Sequence, residues 1–181
     1  MSLFHVQEWY CNRVDEARFI TNAQLIGNRG LPFLQRIYDF ILIDQILIGA
    51  LNGDIVIVDP GKDVDSRNEV SVLIEKRLPH PILQILVGRF LASYDENLLA
   101  ILHPKTLAFY RLNSGTNKRC VYPKRFFLAD EELYTLERIF EHRLPHGPAY
   151  NMCLGEFSKQ QFSQIYVQTL NCSLSIYEGE F

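Results

Sequence analysis

The sequence predicts an all-β fold, a partial β-propeller of about two and three-quarter four-stranded antiparallel blades whose ring is not closed. Two observations predict it. The hexapeptide EKRLPH at residues 75–80 recurs as EHRLPH at residues 141–146, with five of the six positions identical. A second pattern consists of an apolar run, a two-residue break and another apolar run, and it begins at Ile46, Leu98 and Ile165. Antiparallel strands in groups of four, repeated about every fifty residues or more, are typical of propeller blades.

Each pair of apolar runs predicts a β-hairpin. The breaks between the runs are Asn52-Gly53, Pro104-Lys105 and Asn171-Cys172. Asn-Gly is the strongest short hairpin signal, because both central residues of a type I′ turn need positive φ, and we therefore expect two-residue turns. The apolar positions after the breaks correspond as Ile55, Leu107 and Leu174, and then as Ile57, Phe109 and Ile176. Since both faces of these strands are mostly apolar, we expect the hairpins to lie between other sheets.

Two further strands flank each hairpin. Residues 81–90 and 147–157 predict the first strands of the second and third blades, and a less defined first strand is expected near residues 18–26. The more polar residues 69–78 and 132–144 predict outer strands, as an exposed sheet edge should be polar. The Leu-Pro-His element of the hexapeptide is then the turn from an outer strand to the next inner strand, because proline cannot donate to a ladder.

These strands divide the chain into three predicted blades. The first covers about residues 17–78, the second about 79–144, and an incomplete third about 145–181, so that residues 1–181 form the N-terminal part of a propeller. A closed propeller needs at least four blades. An open array leaves apolar blade faces in water, which soluble monomers avoid. We expect either that the chain is the beginning of a longer protein, which we favour, or that a partner covers these faces.

A β-sandwich of two unrelated hairpin pairs is the alternative fold. The two folds differ in strand pairing, because a sandwich pairs strands across the repeats and a propeller pairs them only within each repeat.

Composition limits the classes of function. The net charge is −3, so no global basic field is present to attract nucleic acid or anionic lipid. The longest apolar run, residues 40–51, is interrupted by Asp44 and is too short for a membrane span. The first ten residues lack the features of a signal peptide. The four cysteines are widely spaced, as expected of reduced thiols in a cytoplasmic protein.

No motif in the chain predicts catalysis or metal binding. His142 and His146 are four residues apart, but Pro145 and the strand context prevent them from sharing a helix face. Zinc requires three or four converging ligands, and no Cys-x-x-Cys supplies them. The paired carboxylates at the ends of predicted strands are typical of solubilising charges. We therefore expect no catalytic residue, no metal and no cofactor, and a protein that is not an enzyme.

A basic and aromatic insertion interrupts the second blade between its third and fourth strands. Its candidate partner-binding residues are Lys118, Arg119, Tyr122, Lys124, Arg125, Phe126 and Phe127. This mixture suits a protein interface and can also bind single-stranded nucleic acid. With a net charge of −3 and one short patch, a solvated loop ranks first, a partner contact second and nucleic acid last.

Three stretches of the chain, taken in order, resemble the Bardet–Biedl syndrome 9 protein family, also called the parathyroid-hormone-responsive protein family. The opening MSLFHVQEWY resembles the start of that family, including an aromatic pair at Trp9 and Tyr10. Residues 81–110 are similar to the family's next blade, and residues 150–178 to the blade after that. The shared residues include Gly88, Phe90 and His103, and then Asn151, Met152, Gly155 and Phe157.

The resemblance implies a subunit of the BBSome, a coat-like complex that carries membrane-protein cargo into and out of cilia. Members of the family have an N-terminal seven-bladed propeller, and the resemblance implies that this chain forms its first blades. The expected function is a non-enzymatic scaffold in ciliary trafficking and cilium assembly that contacts other BBSome subunits and ciliary membrane cargo. We expect no nucleic-acid binding, only indirect membrane contact, and a location in the cytoplasm and at the cilium, the ciliary base or, peripherally, the ciliary membrane. A generic protein-interaction propeller outside cilia is the alternative, and a propeller enzyme ranks below it.

Overall fold

The computed structural model describes residues 16–23, 45–59, 71–94, 96–114, 134–155 and 163–178. Within these ranges the chain forms eleven β-strands and no helix. The first sheet contains β1 (Ala17–Ala23), β2 (Gln45–Ala50), β3 (Asp54–Asp59) and β4 (Ser71–Arg77). The second sheet contains β5 (Gln84–Gly88), β6 (Leu98–Leu102), β7 (Thr106–Ser114) and β8 (Tyr134–Arg143). The third sheet contains β9 (Ala149–Gly155), β10 (Gln164–Thr169) and β11 (Leu174–Tyr177).

Strand pairing is antiparallel and stays within each repeat. The hydrogen-bonded orders are β1-β2-β3-β4, β5-β6-β7-β8 and β11-β10-β9. Between sheets, β5 packs on β1, β9 packs on β5, and β8 packs on β4, so that first strands lie beside first strands and outer strands beside outer strands. This pairing excludes the sandwich and confirms the predicted fold class, an all-β partial propeller whose ring is open among the described residues. The blade boundaries near residues 78 and 144 stay a prediction.

The core lies in two layers between neighbouring sheets. The first layer packs Leu47 and Ile57 of the first sheet against Ile101 and Tyr110 of the second. The second layer includes Phe109 of the second sheet with Met152, Ile165 and Val167 of the third. All five residues of β6 are buried, because this strand contributes side chains to both layers. Strands with two apolar faces are therefore confirmed, and each fully buried Leu or Ile contributes roughly 1.5–3 kcal/mol.

The repeated hexapeptide occupies the same position in two sheets. β4 ends at Arg77 and β8 at Arg143, and the leucine that follows each arginine is buried. The Leu78 N–H donates to the Gly53 carbonyl at 2.8 Å, and the Leu144 N–H donates to the Lys105 carbonyl at 2.9 Å. Each copy thus joins the end of an outer strand to the hairpin of its own sheet. The predicted turn after each outer strand is confirmed.

The first and third hairpins differ from the predicted two-residue turns. The Gly53 N–H donates to the Ala50 carbonyl at 3.0 Å, and the Cys172 N–H donates to the Thr169 carbonyl at 3.1 Å. Among the described residues of these loops, only Gly53 (φ 93°) and Cys172 (φ 65°) have positive φ. Such loops have three residues, a right-handed turn followed by one left-handed residue, which also matches the twist of the strands. The prediction of two-residue turns is wrong for these two hairpins.

The second hairpin does have a two-residue loop. The His103 N–H donates to the Thr106 carbonyl at 2.8 Å, and Pro104-Lys105 lies between them. The shorter loop changes the register before the turn, since Leu107 lies opposite Leu102 whereas the corresponding Ile55 lies opposite Gly49. The predicted correspondence of the repeats therefore holds after the turn, whereas before the turn the second repeat is shifted by one residue.

Candidate interaction surface

Each sheet has a leading face, defined here as the face that points toward the next sheet along the chain. In the first sheet Ile55 and Ile57 lie on this face and are fully buried against the second sheet. In the second sheet the corresponding Leu107 and Phe109 are buried against the third sheet. These two corresponding positions on β3 and β7 are therefore part of the core in both sheets.

The third sheet presents the same positions to solvent. Leu174 and Ile176 correspond to Leu107 and Phe109, yet they are 65% and 57% exposed. Directly opposite them on β10 lie Gln168 and Tyr166, and Cys153 of β9 lies opposite Tyr166. Side chains of directly opposite residues share a face. The leading surface of the third sheet, defined by Cys153, Tyr166, Gln168, Leu174 and Ile176, therefore has an apolar strip at β11 beside polar groups.

A side-chain amide joins the leading face of the second sheet to the third sheet. Gln84 of β5 lies opposite Leu102 on that face. Its Nε2 donates to the Met152 carbonyl at 2.7 Å, and its Oε1 accepts from the Met152 N–H at 2.8 Å. Gln84 thus bonds to the β9 backbone as a peptide group of a neighbouring strand would. Asn151, which lies opposite Gln168, has the corresponding position in the third sheet and is exposed.

A mostly apolar cavity of about 180 Å³ lies between the second and third sheets. Phe140 and His142 of β8 line one side, and Ile165 and Tyr177 line the other. The His142 and Tyr177 rings pack with centroids 5.0 Å apart. The described part of the third sheet has three strands, and the cavity therefore lies beside β11 at its edge.

His103 is the one histidine of the described residues that is buried. Its Nδ1 donates to the Pro81 carbonyl at 2.8 Å, which ties the second hairpin to the connection between the first two sheets. Burial lowers the pKa of the imidazole, the bond to Pro81 opposes that shift, and the nearby His80 and Arg138 lower the pKa further while Glu141 raises it. His103 is therefore a buried packing residue, and its lowered pKa favours the neutral ring.

A family model described as "PTHB1 N-terminal" matches residues 1–181. This chain belongs to the PTHB1 N-terminal family. It is 31% identical over 181 residues to the Caenorhabditis elegans "Protein pthb1 homolog", which covers 99% of this chain and 20% of that protein. It is 26% identical to "Protein PTHB1" of Xenopus laevis over 187 residues and of Homo sapiens over 190 residues.

Membership of the PTHB1 N-terminal family confirms the family that the three sequence stretches resemble. Each of these matches covers 99% of this chain. The chain spans about one fifth of the length of the curated relatives, as 20% of the worm and frog proteins and 19% of the human protein are matched. The activity and partners of this chain are therefore a matter of proposal.

The predicted partner-binding loop of this PTHB1-family chain lies outside the described residues. It contains Lys118, Arg119, Tyr122, Lys124, Arg125, Phe126 and Phe127. Their role stays a prediction.

No group of three or more His, Cys, Asp or Glu residues in the described ranges could hold a metal ion. No helix in the same ranges is long and apolar enough to cross a membrane.

Sequence reasoning missed Gln84 as a contact between sheets. The available signal was a polar residue at the start of an otherwise apolar strand. Nothing in the sequence names the Met152 backbone as its partner, because that contact depends on how two separate sheets pack. Leu174 and Ile176, in contrast, follow directly from the repeat, and the sequence predicted an apolar open face.

Proposed function

We propose that this PTHB1-family chain is part of a non-enzymatic scaffold subunit of the BBSome, which serves ciliary membrane-protein trafficking and cilium assembly. Family membership over residues 1–181 supports the proposal. A scaffold works by presenting surfaces, and the described residues of this chain offer sheet faces and edges for contact. The proposed partners are other BBSome subunits and ciliary membrane cargo.

The exposed leading surface of the third sheet is the observation that carries the scaffold role. Leu174 and Ile176 are exposed at positions that are buried in the first two sheets. Exposed apolar strips of this kind mark interaction sites in soluble proteins. We propose that a further antiparallel sheet of the longer PTHB1-family protein packs on this surface, in the same way that the third sheet packs on the second. The completed array would then contact other subunits through its loops and edges.

The protein would act in the cytoplasm and at the cilium, the ciliary base or, peripherally, the ciliary membrane. Its contact with the membrane would be indirect, through the complex. It would bind no nucleic acid and need no cofactor.

Affinity purification of the tagged, full-length protein from ciliated cells tests the proposal. We expect the other BBSome subunits to co-purify and to be identified by mass spectrometry. The BBSome role would be contradicted if none of those subunits co-purified with the tagged protein and if they still assembled in cells that lack the protein.

A pair of matched variants connects this test to the leading surface. Leu174 and Leu170 are exposed to similar extents, 65% and 63%, but Leu170 lies in the hairpin loop and Leu174 on the leading surface. A buried aspartate is costly when it has no partner. Leu174→Asp should therefore lower the yield of assembled complex, and Leu170→Asp should not. Equal yields from the two variants would contradict the role of this surface.

A further inference from the structure

The two copies of the repeated hexapeptide place an arginine at the same point, but the surroundings of the two arginines differ. Arg77 lies opposite Asp54 in the pairing of β4 with β3. The Nε of Arg77 donates to Oδ1 of Asp54 at 2.9 Å, and Asn52 donates to the other carboxylate oxygen at 2.7 Å. The first sheet therefore neutralises its own arginine.

The second sheet has no carboxylate at the corresponding position. Arg143 lies opposite Thr106, which takes the place of Asp54. The Thr106 hydroxyl is buried and has no hydrogen-bond partner among the described residues. Arg143 is exposed, and it forms no ion pair with any carboxylate in the ranges that the structure describes.

Arg143 lies at one end of the pairing between β7 and β8, opposite Thr106. Ser114 and Tyr134 pair with each other at the other end. At about 3.3 Å per residue, the two ends of β7 are roughly 26 Å apart.

Arg143 lines a groove of about 400 Å³ at this end of the second sheet. Lys105 of the hairpin loop provides a second cation, and Pro145 and Pro148 are among the other lining residues. The groove therefore combines two positive charges with walls that contain two prolines and expose both polar and apolar groups. Two cations at one end of the second sheet suit a short acidic peptide segment.

We propose that this groove binds an acidic peptide segment of a partner protein, with a carboxylate between Arg143 and Lys105. The planar guanidinium matches a carboxylate with two parallel hydrogen bonds, and the bond between Arg77 and Asp54 is the internal example of this pairing. The partner would supply the carboxylate that the second sheet lacks. Two cations suffice for one carboxylate, whereas nucleic acid requires neutralisation of a row of phosphates. The inference rests on the proposed role in protein contacts and names the chemistry of one partner.

Fluorescence anisotropy with a labelled hexaglutamate peptide tests the proposal on the purified chain. We expect weak binding that decreases with added salt, and no binding of a labelled hexalysine peptide. Arg143→Gln should weaken hexaglutamate binding by up to about five-fold, the upper end of the range for one exposed ion pair. Arg77→Gln is the matched control and should leave the affinity unchanged, since Asp54 already occupies that arginine.

Thr106→Asp is the decisive variant, because it keeps both cations and gives the second sheet the carboxylate of the first. The introduced carboxylate should pair with Arg143 and weaken hexaglutamate binding as much as Arg143→Gln does. Circular dichroism establishes that each variant retains its β-sheet structure. Three outcomes would each overturn the proposal. Arg77→Gln and Arg143→Gln could weaken binding equally, or Thr106→Asp could leave binding unchanged. Equimolar inorganic phosphate could also displace the hexaglutamate peptide completely. Co-purification of BBSome subunits does not depend on these outcomes, and the two proposals can therefore fail separately.

Discussion

The leading faces of the first and third sheets show what repetition alone does and does not determine. Ile57 and Ile176 have corresponding positions in these sheets, yet Ile57 is fully buried and Ile176 is 57% exposed. The residue type and the strand are the same, and only the neighbouring sheet differs. Burial in such an array is therefore a property of the next repeat and not of the repeat that carries the side chain.

The largest expected effect comes from the same substitution at both positions. Ile57→Ala removes fully buried methyl groups and should lower the free energy of unfolding by about 2–5 kcal/mol. Ile176→Ala removes partly solvated groups and should change it by less than about 0.5 kcal/mol. Urea denaturation of the two variants measures both values. Similar losses would show that the third leading face is buried in the isolated chain.

The next effect concerns the amide that joins the second and third sheets. Gln84→Met should cost about 1–3 kcal/mol of unfolding free energy, because the Met152 carbonyl loses its bond to Gln84 and the Met152 N–H loses one of its acceptors. Gln168→Met, on the exposed leading surface, is the matched control and should be nearly neutral. If the two variants have equal stability, Gln84 does not hold the sheets together.

The hairpins of the first and third sheets provide a smaller comparison. At Gly53, an added Cβ would lie 2.5 Å from the Leu78 carbonyl oxygen, so Gly53→Ala should destabilise the chain by more than about 1 kcal/mol. At the corresponding Cys172, a side chain already has a left-handed conformation, with φ at 65°. Cys172→Gly should therefore raise the free energy of unfolding by up to about 1 kcal/mol. Thermal denaturation distinguishes the two signs, and destabilisation by Cys172→Gly would contradict the assigned turn.

The smallest effect is the pH dependence contributed by His103. Burial lowers its pKa in the folded chain, while the unfolded chain binds a proton near the ordinary value of 6.5. The stability provided by the neutral ring is therefore complete above 6.5 and is lost as the pH falls toward the folded pKa. Gln can donate to the Pro81 carbonyl but cannot titrate. The difference in unfolding free energy between wild type and His103→Gln should shrink from about pH 7.5 to about pH 5.5, and a constant difference would contradict this account.

The sequence predicted the fold well because the repeated residues occupy corresponding positions in each sheet. The hexapeptide located the ends of both outer strands, and the matched apolar positions located the residues that form the core. The turn types were predicted incorrectly, because Asn52-Gly53 is compatible with both a two-residue and a three-residue loop. The role of Gln84, and the lack of a carboxylate partner for Arg143 among the described residues, depend on contacts between distant segments, and no local pattern encodes them. The Lys118–Phe127 loop lies outside the described residues and stays a prediction.

Two cysteines provide the most direct test of the claim that a further sheet covers the third leading face. Cys153 lies on the leading surface and Cys172 in the hairpin loop, and both are free and exposed. With Cys11 and Cys120 replaced by serine, a maleimide reagent should label both cysteines in the 181-residue chain. In the full-length protein, Cys172 should still react and Cys153 should be protected. Equal labelling of Cys153 in the two proteins would contradict the claim.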